Sequence, residues 1–156
     1  MALRYSVKKG EVLYIEGVRM QFVDNSEILL LDQCDILPER MTIKDPGSLT
    51  TLQTFYHVIQ ETYIRHRSSR EGQHGDILKI WQNVKDHLRK AGSRRGADLD
   101  VDAVESLLDQ KNYYRLLKML WKVIDLETPD FWTNNSEHVR QSENYVRSFQ
   151  PRHVRR

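Results

Sequence analysis

The chain has 156 residues, of which 39% are hydrophobic and 29% charged, with three Trp and seven Tyr. This allows one domain, or one domain with a tail, and excludes wholesale disorder. The longest apolar run, Ile28 to Leu31, is too short to cross a bilayer, and the N-terminus lacks an apolar stretch of signal-peptide length. A single cysteine, Cys34, cannot form an internal disulfide and suits a reducing compartment, so the expected location is the cytoplasm, with no membrane contact.

The formal charge of +2 is unevenly spread. Residues 1–64 carry six Lys/Arg against nine Asp/Glu, and residues 65–95 carry nine against three. Residues 96–137 carry four against nine, and residues 138–156 carry five against one. Two basic blocks on a near-neutral chain suggest local contacts with phosphates or with an acidic protein face.

In chain order, Leu3, Tyr5 and Val7 alternate with polar residues, which puts the apolar set on one face of a strand. Gly10-Glu11 breaks the run, Val12 to Ile15 follows, and Glu16-Gly17 predicts a tight hairpin into a strand carrying Val18, Met20 and Phe22. Asp24-Asn25-Ser26 is a turn signal. The next run, Ile28 to Leu31, is apolar on both faces, so it is expected in the middle of a sheet or against a helix. Asp35-Ile36-Leu37 ends at Pro38, which lacks the N–H that a central strand needs. The reading is a small antiparallel sheet of four or five strands over residues 1–44.

Helical spacing then takes over. Leu52, Phe55, Tyr56, Ile59 and Tyr63 mark a first helix, with Thr50 or Thr51 as its cap. Residues 66–75 read as a polar connection. Ile77, Trp81, Val84 and Leu88 mark a second helix ending near Gly92. Asp102 with Glu105 predicts a capping box for a third, and Leu116, Leu117, Leu120, Val123 and Ile124 mark a fourth, stopped by Thr128-Pro129. The third and fourth are separate or joined through a kink near Asn112.

The expected architecture is therefore α+β: one domain over 1–130, with a β-rich part (1–44) and a helical part of three or four helices (50–127) sharing a core. Residues 131–156 are expected to be a basic, flexible tail.

Catalytic chemistry finds little support. No His accompanies Cys34 locally, and no Gly-rich phosphate loop exists. His57 and Glu61 share a helix face without a second ligand pair. Asp98, Asp100 and Asp102 begin like a calcium loop, but Ala103 stands where the turn needs Gly and Asp109 where a bidentate Glu belongs, so helix capping explains them better. The expectation is a binding protein, not an enzyme, with no catalytic residue, metal or cofactor.

The basic features fit a nucleic-acid backbone gripped by cations, with unpaired bases on aromatic rings. Candidate RNA contacts are Arg4, Lys8, Lys9 and Arg19 on the strands, Arg40 at the end of the sheet, and Arg65, Arg67 and Arg70 in the connection. Further cations stand at Arg89, Lys90, Arg94 and Arg95, and in the tail at Arg140, Arg147, Arg152, Arg155 and Arg156. Candidate protein-partner contacts are Tyr113, Tyr114 and Trp121 on the late helices.

Three stretches together carry a resemblance. They are Leu3-x-Tyr5-x-Val7-Lys8-Lys9-Gly10-Glu11 with Gly17; Leu31-Asp32-Gln33 with Ile36-Leu37-Pro38-Glu39-Arg40; and Tyr113-Tyr114-Arg115-x-Leu117-Lys118 running on to Lys122-Val123-Ile124-Asp125-x-Glu127. In that order the chain resembles the flagellar biosynthesis repressor family, FlbT. The resemblance implies a regulator that binds the 5′ untranslated leader of flagellin messenger RNA and promotes its decay by cellular enzymes. It also implies a protein partner, flagellin or a small FlaF-type protein. The alternative is an adapter or chaperone-like factor for such a partner, without RNA. Thr50-Thr51-Leu52-Gln53 replaces the Thr-Pro and basic residue usual before the family's first helix. The Gly10-Glu11 opening is also similar to that of carbon-storage regulators, which points to the sheet as the RNA-facing side.

Overall fold

A computed structural model describes residues 2–65, 67–90 and 99–135, the side chain of Arg67 excepted. Glu16 and Gly17 adopt φ of 48° and 82°. Two successive positive φ values match the twist of a tight hairpin, and they fold β2 (Val12–Ile15) onto β3 (Val18–Gln21). Beside β2 lies β5 (Ile36–Pro38), pairing Leu13 with Pro38 and Ile15 with Ile36. The order β3-β2-β5 leaves Pro38 on an edge strand, where its missing N–H costs no ladder bond.

The remaining strands form a separate antiparallel ribbon. β1 (Leu3–Val7) pairs with β4 (Ser26–Leu30), Leu3 opposite Leu30 and Tyr5 opposite Ile28. The single expected sheet is thus two, and the expectation for Ile28–Leu31 is corrected. β4 is half of a two-stranded ribbon, with Leu29 56% and Leu31 72% exposed. An apolar run specifies a strand but not what covers it.

Four helices follow. α1 (Thr51–Ile64) opens with a reciprocal cap, Gln53 N–H donating to Thr50 Oγ1 and Thr50 N–H to Gln53 Oε1. α2 (Glu71–Lys90) begins inside the stretch expected to be a connection. Gly72 and Gly75 lie in its first turns, and the apolar stripe at Ile77, Trp81 and Val84 carries the helix through them. The end expected near Gly92 lies outside the described residues. α3 (Val101–Asp109) is capped by Asp100, which accepts from Ala103 N–H at 3.1 Å. The expected Asp102–Glu105 box does not form: Glu105 accepts instead from Trp81 and Lys85 across to α2. Lys111 at φ 52° separates α3 from α4 (Tyr113–Glu127), which Asn112 caps.

One core unites sheet and helices. Leu37 and Ile43 join Phe55, Tyr56, Ile59, Trp81, Leu108, Leu116 and Leu120, all nearly inaccessible. The segment between β5 and α1 carries backbone groups that no strand satisfies, so buried side chains do it. Gln60 accepts from Ile43 N–H and donates to Ile43 O, and Tyr56 donates to Met41 O. Asn135 donates to Thr42 O and accepts from Lys44 N–H. The ordered body therefore runs past the expected boundary at 130. Phe131 to Asn135 form a helical turn, and Trp132 is buried against Trp121 with ring centroids 5.4 Å apart. Residues 136–156, the rest of the expected tail, lie outside the described residues.

Candidate nucleic-acid interface

Two of the eight candidate cations, Arg19 and Arg70, brace the fold through ion pairs with little-exposed carboxylates. Arg19 makes a forked contact with Glu39 at 2.9–3.1 Å, and Glu39 is 1% exposed. Lys44 closes on the same carboxylate at 2.5 Å and donates to Tyr14 Oη at 2.8 Å. A buried carboxylate needs compensating charge, and Arg19 supplies it. Arg70 donates to Tyr63 O at 2.6 Å, pairs with Asp35 at 2.6 Å and lies over the Tyr63 ring. It fastens the end of α1 to the approach of β5. Arg65 is exposed at the C-terminal cap of α1, its carbonyl accepting from Arg70. Arg67 opens a short 3-10 turn (Arg67–Ser69); its side chain falls outside the description.

Of the other four, Lys8 and Arg40 meet at Glu11 with Lys9 next in the turn, while Arg4 stands on the opposite face of β1 from Tyr5. Arg4, Lys8 and Lys9 are exposed, and no ion pair with a described residue engages their side chains. The turn that presents the two lysines is fixed through its backbone: Lys8 N–H donates to Glu11 Oε2 and Lys9 N–H to Asn25 Oδ1. Arg40 pairs with Glu11 at 2.9 Å yet remains 65% exposed, so the pair is easily exchanged for a ligand anion. Arg40 also lies near the Tyr5 hydroxyl. Burial raises the Tyr5 phenol above its ordinary range, while the Arg40 cation pulls it partly back.

Tyr114 is 37% exposed, lies 6.1 Å from the Tyr63 ring and carries Lys118 over its face at 5.5 Å. Two groups of cation and ring thus reach solvent, Arg40 near Tyr5 and Lys118 over Tyr114. A cation beside a ring can hold a phosphate and stack an unpaired base.

Of the three partner candidates Tyr114 is exposed, Trp121 half-buried and Tyr113 buried. Tyr113 is buried with its hydroxyl 2.7 Å from His74 Nδ1, and Trp121 packs on Trp132. Both hold the fold. Sequence reasoning missed Tyr5 and Lys118; the signal for Tyr5 was an aromatic in a strand flanked by cations, and Lys118 follows Tyr114 by one helical turn. Arg89 and Lys90 end α2 exposed, while Arg94, Arg95 and the cations from Arg140 onward lie outside the described residues. Among the described residues no three His, Cys, Asp or Glu are grouped to hold a metal, and no helix is long and apolar enough to cross a membrane.

Fold and surface together define a small α+β protein that presents cations and rings to solvent. Comparison with known families gives a match to the flagellar protein FlbT model over residues 3–129. The chain belongs to the FlbT family and is a flagellum-related regulator. No curated protein and no solved structure matches it.

Proposed function

We propose that the protein regulates flagellum assembly in the cytoplasm by binding the 5′ leader of flagellin messenger RNA. It acts as a repressor by binding, not by catalysis, and the decay of the message falls to cellular nucleases. The observation that carries this reading is the exposed set of Lys8, Lys9 and Arg40 round the turn between β1 and β2, with Tyr5 near Arg40, and exposed Tyr114 under Lys118 on α4. Arg19, Arg65, Arg67 and Arg70 are not needed for it.

The test is fluorescence anisotropy with nuclease-treated protein and the flagellin leader, titrated across salt. Binding should be submicromolar, discriminate against unrelated RNA, and weaken with log salt by about 0.7 per phosphate contacted. The triple variant Lys8→Glu, Lys9→Glu, Arg40→Glu should lose the interaction while keeping its circular dichroism. Undiminished affinity in that variant sinks the assignment.

A further inference from the structure

The outer side of α3 and α4 carries an open groove of about 710 Å³ that shares only Lys118 with the residues of the RNA reading. Its floor is aliphatic: Leu107 from α3, and Met119, Val123 and Leu126 from α4. The α4 residues recur at intervals of four and three, so they form one stripe along the helix. Ala103, Leu107 and Gln110 repeat that spacing on α3. Two adjacent helices that each turn a heptad-like stripe into one groove leave a seat for a third helix.

The rim has one sign of charge. Arg115, Lys118 and Lys122 line the groove, again at helical spacing, and no Asp or Glu does. None of the three is ion-paired with a described residue. Glu105, the one acidic residue of α3 engaged in a salt bridge, is turned the other way, toward Lys85 at 2.7 Å. Leu126 is 65% exposed at the far end, an aliphatic side chain left in water.

From this floor and rim we infer that the α3–α4 groove binds an amphipathic helix whose polar flank is acidic, supplied by a protein partner. The stretch from Arg115 to Leu126 spans about 16 Å at 1.5 Å per residue, room for three turns of guest helix. The guest seats an aliphatic stripe on Met119, Val123 and Leu126, and its carboxylates meet Arg115, Lys118 and Lys122. The chain's own segment 138–156 has five Lys/Arg and one acidic residue, the wrong sign for this rim. RNA would answer the cations but would leave exposed Leu126 and the outward parts of Leu107 and Met119 uncovered.

The test uses the full chain and a fluorescein-labelled 14-residue peptide with Leu on one helical stripe and Glu on its flanks. A scrambled peptide of identical composition and a 12-nucleotide single-stranded RNA serve as comparisons. The designed peptide should bind at least tenfold more tightly than the scrambled one and shift amide resonances of residues 103–126. The double variant Lys122→Glu, Leu126→Asp changes two exposed positions that are not among the residues of the RNA reading. It should reduce peptide affinity at least tenfold and leave affinity for the flagellin leader unchanged. Equal binding of the scrambled peptide, displacement of the designed peptide by the RNA, or no effect of the double variant would overturn the inference.

Discussion

The β1–β4 ribbon and the helical body are built from the same kinds of residue and treat them in opposite ways. In β1 only Val7 is buried, and in β4 no residue is, although Leu3, Ile28, Leu29 and Leu30 are as apolar as anything in the core. In α1 eight of the fourteen residues are buried, two glutamine side chains among them. The difference lies in what each element packs against. α1 meets α2 and α4, so its stripe closes on two others; the ribbon has two strands, and among the described residues no third element pairs with it. A two-stranded ribbon has little stability of its own. Arg40 of the body lies near Tyr5 of the ribbon, and the ribbon's outer residues stay open to solvent and to ligands.

The largest expected effect tests that contrast directly. Trp81 is 1% exposed, stacks on Phe55 at 5.3 Å and donates to Glu105. Trp81→Ala should lose about 3–5 kcal/mol in urea unfolding, as large buried aromatics do when a cavity replaces them. Leu29→Ala, in the ribbon, should stay within about 0.5 kcal/mol. Comparable losses at both positions would mean that the ribbon is covered in solution and the contrast is false.

Arg19 sharpens the comparison, because it sits on an exposed strand but serves the body. Arg19→Ala removes a forked contact to buried Glu39 and leaves only Lys44 on that carboxylate. A loss of about 2 kcal/mol is expected, the usual scale for hydrogen bonds to a buried charge. Thermal melting beside the RNA titration separates the roles: a variant of native stability with weakened RNA binding would move Arg19 back to the interface.

The smallest effect belongs to the body alone. Burial, together with nearby Lys111, lowers the His74 pKa below its ordinary value of 6.5. The folded state thus prefers the neutral ring, while the unfolded chain takes up a proton near 6.5. The contribution is whole above that pH and declines as pH falls through the lowered folded value. His74→Gln should flatten this part of a stability–pH curve, measured by chemical unfolding between pH 7.5 and 5; an unchanged slope would show that another group titrates there.

Much of the body could be read from local chemistry. Thr50 and Gln53 three residues apart spell a reciprocal cap, Glu16-Gly17 spells a hairpin, and the 3.6-residue stripes from Leu52 to Ile124 spell the helices, because each signal rests on neighbours in the chain. Pro38 as an edge residue follows from its missing N–H. The start of α2 was hidden because Gly72 and Gly75 look like a loop locally, while packing of Ile77 and Trp81 overrides their weak propensity.

The candidate site was only half legible. Arg4, Lys8, Lys9 and Arg40 could be singled out by charge, but charge alone does not distinguish a cation awaiting a ligand from one already paired. Arg19 finds Glu39 twenty residues away and Arg70 finds Asp35 across thirty-five, pairings that no local pattern encodes. The same is true of Trp132 and Asn135, polar-flanked residues that resemble a tail until Trp121 and Thr42 are brought beside them. Sequence by itself determined the α+β order, the cap of α1 and the hairpin, since these depend on contacts a few residues apart. Only tertiary structure decided how the strands divide into two sheets, which cations are spent, and which rings reach the surface. Those outcomes depend on which distant groups meet, and a burial pattern specifies that a face must be covered without specifying by what.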